Sequence, residues 1–226
     1  MADRYYNHFS FRYFGNYCKK SNILKMIELL SKIIERKITE SELTQISEAL
    51  ILTFEKYDIS TKLRQCHFIG QTIHESGQYF YKRENLNYSA KGLYNVFRKY
   101  FPTLEEAKKY ERKPEVIANI VYANRMGNNF EGDGWKFRGA GAIQITGRDN
   151  FTLLSKDLQQ DFISNPDLVA EYPYYILSAG WFWNLRRLNH YADNNDYRLI
   201  TKRINGGFHG LEDRVKWTEK TKLILI

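Results

Sequence analysis

The sequence predicts a mainly α-helical protein with one short segment that is irregular or β-stranded. Apolar residues recur at helical spacing between recognisable capping residues along most of the chain. The exception is the segment 128–147, which is rich in glycine. With 226 residues and 43% hydrophobic content, the chain is also long enough to bury a core without disulfide bonds.

Two helices are predicted before residue 58. The first follows Ser21, and its apolar residues keep helical spacing as far as Ile34. Thr39 and Glu42 form a capping-box pattern, in which each residue satisfies a free backbone N–H group at the start of a helix. The second helix is therefore expected to begin directly after Thr39.

A third predicted helix starts near Ser60 or Thr61 and ends close to Gly77. Its apolar residues keep helical spacing up to Ile73. This places Glu75 in its last turn, next to a glycine that suits the end of a helix.

The second half of the chain contains shorter predicted helices. Thr103 and Glu106 form another capping pattern, and Pro114 suits the first position of a helix that we expect to run to Gly127. Two further helices are predicted to open at prolines, Pro166 and Pro173. The glycine-rich segment 128–147 is interpreted as loops with a short strand pair.

Residues 1–38 look separable from the rest, because Lys37 ends one helical pattern and Thr39 opens the next. We therefore predict an N-terminal helical extension, residues 1–38, and a main domain, residues 39–226. The extension could cap the main domain or act as a small binding appendage. Its aromatic residues fit either role: Tyr5, Tyr6, Phe9, Phe11, Tyr13, Phe14 and Tyr17.

The net charge of +8 favours a polyanionic partner, such as nucleic acid, an anionic membrane surface or a carboxylate-rich bacterial wall. The basic residues are scattered in pairs rather than gathered on one helix, and no aromatic RNA-binding motif accompanies them. We therefore expect no nucleic-acid partner.

Residues 1–20 are aromatic and basic rather than apolar, so they do not resemble a signal peptide. The apolar runs 49–54 and 223–226 are too short to span a bilayer. We expect a monomer that is made in the cytoplasm and is not stably inserted in a membrane. If the protein acts outside the cytoplasm, another component must deliver it. Cys18 and Cys66 match no metal-ligand spacing and predict two free thiols, with Cys66 buried.

Two glutamates are candidates for paired acid–base chemistry. Glu75 ends an apolar helix, where partial burial would favour its protonated, proton-donating form. Glu84 lies among basic and amide residues that would favour its ionised form. Such a pair suits glycosidic hydrolysis, which needs a carboxylic acid and a carboxylate on opposite sides of the bond. The pair alone is weak evidence, because glutamates at this spacing occur by chance in many helical proteins.

Several motifs in a fixed order give a more specific signal. They are IHESG (73–77), ENLNYSA (84–90), VYANRMGN (121–128), GDGWKFRG (132–139), QITG (144–147) and RINGG (203–207). Together they resemble glycoside hydrolase family 19, specifically its bacterial and bacteriophage branch of endolysins and chitinase-like enzymes. The resemblance covers roughly residues 43–220.

The resemblance implies a two-lobed, lysozyme-like fold with a substrate cleft, and a mechanism that inverts anomeric configuration. Glu75 matches the family's general acid and Glu84 its general base, which an inverting enzyme holds about 6.5–9.5 Å apart with a water between them. Thr146 matches the residue that helps hold this water. Other residues match sugar-binding or supporting positions: Gln144, Asn150, Asn205 and Tyr88 for the sugar, and His74 and Arg214 for support near the acid.

Simpler interpretations exist for several of these residues. Thr146 and Asn150 could cap a helix, and the segment 205–207 could be a turn. Ala140 stands where relatives often have arginine, which puts one contact in the cleft in doubt. Three tryptophans are interpreted mainly as core residues: Trp135, Trp181 and Trp183.

We therefore predict a peptidoglycan-degrading glycoside hydrolase, a muramidase or endolysin that acts at the bacterial cell wall. The motif ENLNYSA and the lack of a secretion signal favour peptidoglycan over chitin. The alternatives are a chitinase, a secreted antibacterial effector with the same activity, and a non-hydrolytic wall-binding protein. The expected partners are peptidoglycan and either a holin that releases the enzyme or an immunity protein.

No cofactor is expected. His74 and Glu75 resemble the start of a zinc peptidase motif, but position 78 is Gln rather than His, so no metal site is predicted.

Overall fold

The structure, a computed structural model, describes residues 20–226 and confirms the mainly α-helical class. Its described part holds twelve α-helices and one 3-10 helix. The α-helices are α1 Lys20–Ile33, α2 Glu40–Lys56, α3 Lys62–Ser76, α4 Ala90–Val96, α5 Leu104–Tyr110, α6 Pro114–Tyr122, α7 Asp133–Lys136, α8 Arg148–Leu158, α9 Tyr174–Leu185, α10 Leu188–Asp193, α11 Tyr197–Asn205 and α12 Leu211–Leu225. The 3-10 helix is Pro166–Ala170.

The predicted caps of α2 and α3 are confirmed. The Thr39 hydroxyl accepts a hydrogen bond from the Glu42 backbone N–H at 3.2 Å, and the Thr61 hydroxyl accepts one from Arg64 at the same distance. Gly77 ends α3 in the left-handed conformation, with φ of 58°. These local signals fix the ends of α3 and therefore the position of Glu75.

The predictions for α5 and α6 are confirmed at their starts. The Thr103 hydroxyl accepts from the Glu106 N–H at 3.1 Å, and Pro114 is the first residue of α6. The predicted end of α6 at Gly127 is wrong, because the helix ends at Tyr122.

The loop that follows α6 explains the early end. Asn124 and Met126 have φ of 55° and 51°, which a helix does not allow. The side chain of Asn128 donates to the Tyr122 carbonyl at 3.1 Å and so takes the place of a helical N–H group. A tertiary contact therefore overrides the helical pattern.

The predicted strand pair is reduced to isolated bridges in the described residues. Ala140 pairs with Arg83 on one side and with Ile145 on the other. The helix predicted at Pro166 is the 3-10 helix, and α9 begins directly after Pro173.

The described residues form two hydrophobic cores. The larger core is built by α1, α2, α3, α8, α9 and α12 and includes Trp181 and Trp183, as predicted. The smaller core lies between α4, α5 and α6, and its buried members are Leu86, Ala90, Leu93, Phe101, Ala107, Ile117, Ala118 and Val121. The two cores divide the molecule into a large and a small lobe.

Helix α1 packs against α2 and α12 and contributes Met26, Leu29, Leu30 and Ile33 to the large core. The boundary at residue 38 stays a prediction. Residues 1–19, with Cys18 and the aromatic residues of the predicted appendage, lie outside the described residues. Cys66 is a buried free thiol, as predicted.

None of the helices in residues 20–226 is long and apolar enough to cross a lipid bilayer.

Helices α3 and α12 pack closely because α3 carries a glycine at their contact. A Cβ atom on Gly70 would lie 2.1 Å from the Thr218 hydroxyl oxygen and 2.8 Å from the Thr218 Cα atom. We expect Gly70→Ala to lower the free energy of unfolding by about 1–3 kcal/mol, because the α12 backbone must move. Thermal denaturation would measure this. In the control Gly92→Ala the nearest neighbour is a movable ring atom of Tyr88 at 3.1 Å, so an equal loss there would contradict the explanation.

His67 predicts a pH dependence of stability. Burial lowers the pKa of His67 from 6.5 to about 4, although its Nε2 bonds the Asn195 side-chain oxygen at 2.8 Å. Between pH 6.5 and about 4, His67 is protonated in the unfolded chain and neutral in the folded chain. Stability is therefore lost as the pH falls from 6.5 to about 4, by up to about 3 kcal/mol. Melting temperatures of the wild type and His67→Gln across this range test it, and parallel curves would contradict it.

Candidate active site

Glu75 lies in the last turn of α3 and forms an ion pair with Arg214 from the first turn of α12. The Arg214 side chain is 2% exposed, whereas that of Glu75 is 21% exposed. A second guanidinium nitrogen of Arg214 donates to the Gln71 side-chain oxygen at 2.6 Å. Arg214 therefore joins α3 to α12 and holds one oxygen of Glu75, while the Glu75 carboxylate still reaches solvent.

His74 neighbours Glu75 in the sequence, but its ring bonds elsewhere. Its Nδ1 lies 2.6 Å from a carboxylate oxygen of Asp213, and the Trp217 indole donates to the same oxygen at 3.0 Å. A Cβ atom on Gly210 would lie 2.3 Å from the His74 ring. The His74 ring thus packs between α12 and the loop that precedes α12.

Asn205 supports that loop, residues 206–210, from the end of α11. Its amide donates to the His209 carbonyl at 2.9 Å, and its side-chain oxygen accepts from the Gly207 N–H at 2.8 Å. The predicted alternative, a turn, is therefore present. The His209 carbonyl also accepts from Arg214 at 3.3 Å, which connects Asn205 to the residues around Glu75. Asn205 keeps one amide proton and one lone pair for another partner.

Glu84 lies where the two hydrophobic cores meet. It follows Arg83, which bridges to Ala140 of the large core, and precedes Leu86 of the small core. The Glu84 N–H donates to the Gly139 carbonyl at 2.9 Å. The side chain of Glu84 is thus fixed at the boundary between the lobes.

The main partner of the Glu84 carboxylate is Tyr122, the last residue of α6. The Tyr122 hydroxyl lies 2.7 Å and 2.9 Å from the two carboxylate oxygens, and the Gly139 N–H lies 3.4 Å from one of them. Burial raises the pKa of the Tyr122 hydroxyl, and the charge of Glu84 raises it further. Tyr122 therefore stays protonated and donates to Glu84.

Arg83, the basic residue next to Glu84 in the sequence, does not pair with the Glu84 carboxylate. Arg83 donates to the Pro166 carbonyl at 2.7 Å and pairs with Asp167 at 2.6 Å. Burial raises the pKa of the Tyr88 hydroxyl, and the charge of Glu84 raises it further.

Gln144, Thr146 and Asn150 form a continuous series beside Glu84. The Thr146 hydroxyl donates to the Gln144 carbonyl at 2.9 Å, and the Asn150 amide donates to the Thr146 carbonyl at 2.8 Å. Gly139 separates Gln144 from Glu84. A Cβ atom on Gly139 would lie 2.7 Å from the Gln144 side-chain oxygen and 3.2 Å from the Glu84 Cβ atom, so glycine permits this close approach.

The structure thus arranges the sequence-predicted residues, together with Gln71, Asp213 and Tyr122, in two clusters. We call them the acid-side cluster (Glu75, Gln71, His74, Asn205, Asp213, Arg214) and the base-side cluster (Glu84, Tyr88, Tyr122, Gln144, Thr146, Asn150). The chain between them is held in place, since Tyr79 is buried and the Tyr175 hydroxyl donates to the Tyr81 carbonyl at 2.9 Å. The two carboxylates therefore have unlike partners and lie on one segment whose backbone is held in place.

Tyr122 was not singled out from the sequence, although it lies in the motif VYANRMGN. We expect Tyr122→Phe to lower kcat about tenfold with little change in KM, because the lost hydrogen bond orients a charged group rather than the substrate. Steady-state kinetics on glycan fragments would measure this. Tyr94→Phe, in the same lobe, is the control, and an unchanged kcat for Tyr122→Phe would contradict the expectation.

Among residues 20–226, no group of three His, Cys, Asp or Glu side chains is arranged to hold a metal ion.

Comparison with known proteins identifies relatives of the chain. No family model matches the chain. The chain is 43% identical over 193 residues to a glycosyl hydrolase family 19 domain-containing protein of Haemophilus influenzae, which covers 84% of this chain and 94% of the relative. It is 41% identical over 129 residues to an acidic endochitinase of Petunia hybrida, but this covers only 45% of this chain and 48% of that protein.

Solved structures share the fold. Chitinase C from Streptomyces griseus HUT6037 superposes with a TM-score of 0.59 at 16% identity, over 92% of this chain and 95% of that chain. A bacterial family 19 chitinase gives a TM-score of 0.54 at 17% identity, over 89% and 93% of the two chains. At these identities the likeness concerns the fold alone, and it confirms the two-lobed, lysozyme-like architecture.

Proposed function

The chain belongs to glycoside hydrolase family 19, and from this premise we propose that it cleaves the β-1,4 glycan backbone of bacterial peptidoglycan as a muramidase. It is a glycoside hydrolase related to chitinases. The observation that carries the proposed mechanism is the pair of glutamates with unlike partners, Arg214 on Glu75 and Tyr122 on Glu84.

In the proposed reaction, Glu75, which is paired with Arg214 in the free enzyme, takes up a proton from solvent and donates it to the leaving glycosidic oxygen as the bond to the anomeric carbon breaks. Glu84 takes a proton from a water molecule, and the water oxygen attacks the anomeric carbon from the opposite face, which inverts its configuration. Loss of the proton makes Glu75 an anion, and this negative charge lies next to the guanidinium of Arg214. This attraction is stronger in the transition state than in the ground state and so lowers the barrier.

The remaining residues supply polar groups to the sugar and the water. We propose that Thr146 holds the attacking water and that Gln144, Asn150, Asn205 and Tyr88 bind sugar hydroxyl and N-acetyl groups. Amides suit this task because each offers both donors and acceptors.

One observation supports peptidoglycan as the substrate: the net charge of +8 favours a carboxylate-rich wall over neutral chitin. The site of action would then be the bacterial cell wall, and delivery by a holin or as a secreted effector stays a prediction.

Chitin is the second candidate, because the endochitinase of petunia and the solved chitinases are relatives or share the fold. The same pair of carboxylates can cleave either polymer.

Digestion of purified peptidoglycan and of chitin oligosaccharides, with mass spectrometry of the products, tests the proposal. We expect muropeptides with new reducing ends from peptidoglycan, and a smaller rate on chitin of equal chain length. Cut peptide bonds would overturn the glycosidase mechanism, and a higher rate on chitin would overturn the proposed substrate. Incubation with Glu75→Gln corrects for contaminating activity.

A further inference from the structure

A recess of about 290 Å³ lies between the C-terminal end of α6 and helix α7. Its lining includes the side chains Asn119, Asn124, Asn129, Phe130 and Glu131, and we call it the asparagine recess. Its volume is near the lower end of the range of small-molecule sites. No residue discussed so far as a sugar-binding candidate lines it.

The recess is linked to the base-side cluster through the end of α6. Ala123, which lines it, directly follows Tyr122, and the Tyr122 hydroxyl bonds both oxygens of Glu84. A linear polymer that is cut at Glu84 could therefore continue into the recess.

The loop that lines the recess, residues 123–132, is held by side-chain contacts although it forms no helix or strand. Asn128 is 2% exposed, and its side chain bonds both the Tyr122 carbonyl at 3.1 Å and the Arg148 N–H at 2.8 Å. Buried Asp133 binds the guanidinium of Arg148 through both of its oxygens, at 2.5 Å and 2.8 Å. The Phe130 N–H in turn donates to Asp133 at 3.1 Å. Binding here would thus require little ordering of the loop.

This loop holds an unfavourable backbone conformation. Asn124 and Met126, which are not glycines, adopt positive φ angles of 55° and 51°. Strain of this kind persists only where other contacts enforce it, and it concentrates at functional sites. The side chains of Asn124 and Asn129 are exposed and belong to neither core. The loop conformation therefore positions surface side chains and not core side chains.

The chemistry of the lining favours a neutral sugar. The amides of Asn124 and Asn129 are exposed and offer donors and acceptors to hydroxyl and acetamido groups. The Phe130 ring is 69% exposed, with the Arg148 guanidinium 4.9 Å from its centroid, and provides an apolar face for a pyranose ring. Glu131 is the only charged side chain among the lining residues, and its negative charge disfavours the carboxylates of a peptide stem.

We propose that the asparagine recess binds a further N-acetylated sugar unit of the glycan strand, beyond the units held at the two carboxylates. This inference rests on the proposed function, because it requires that the strand passes Glu84.

The test compares kcat/KM on peptide-free glycan strands of increasing length for the wild type, Phe130→Ala and Asn129→Ala. For the wild type we expect kcat/KM to rise with length until the recess is filled. For both variants we expect about a three- to tenfold loss on long strands and no loss on the shortest cleaved strand. Leu185→Ala, which also removes an exposed apolar side chain, is the control and should follow the wild type.

Three other results would each contradict a different part of the proposal. Variants that match the wild type on every strand length would overturn the recess as a sugar site. A loss that appears only on strands with peptide stems would overturn the sugar in favour of the peptide. Absence of cleavage by the wild type would instead overturn the proposed function. Unchanged melting temperatures show that the variants are folded, as expected for exposed side chains.

Discussion

Glu75→Gln is expected to lower kcat for glycan cleavage by about 10²–10⁴-fold, the usual contribution of a positioned general acid. Glutamine has nearly the same size and can keep a hydrogen bond from Arg214, but it has no proton to give to the leaving oxygen. KM should change little, since the proton moves only in the transition state. The rate of formation of reducing ends measures the effect.

The chain offers a matched control for this substitution. Glu42, in the first turn of α2, also pairs with an arginine, Arg36, and its side chain is 26% exposed against 21% for Glu75. Glu42→Gln should therefore reproduce any effect of losing an arginine-paired carboxylate on stability while kcat stays unchanged. A Glu75→Gln variant that keeps more than about a tenth of the activity would show that another group donates the proton.

Much of the fold could be predicted because its signals are local. The caps at Thr39, Thr61 and Thr103 depend on contacts within three or four residues, and so does the glycine that ends α3. The end of α6 could not be predicted in this way. It depends on the Asn128 side chain and on a loop that Asp133 and Arg148 hold from outside the helix.

The site was predictable only in part for the same reason. The positions of Glu75 and Glu84 follow from the ordered motifs. The partner of Glu84 does not, because Tyr122 is far from Glu84 along the chain. Arg214 is farther still from Glu75, and it was predicted only through the family resemblance and not from a local pattern. The sequence neighbour Arg83 was a misleading signal, since tertiary structure directs it to Asp167.

Arg214→Met is expected to damage both stability and activity. Methionine fills a similar volume, but it leaves the Gln71 side-chain oxygen and the Glu75 carboxylate without their donor. Removing one partner of a buried ion pair costs about 3–5 kcal/mol, and the lower figure applies here because Glu75 still reaches water. For a chain of this size that corresponds to a fall in melting temperature of about 6–12 °C.

The loss of activity should exceed what partial unfolding explains. At a temperature where the variant is fully folded, Glu75 would become an anion during the reaction without a guanidinium beside it, so kcat should fall while KM changes less. Arg64→Met, which removes the guanidinium from Asp193, is the control for stability alone. If Arg214→Met lost stability but kept its kcat below the melting transition, Arg214 would be a link between α3 and α12 and not a partner of the acid.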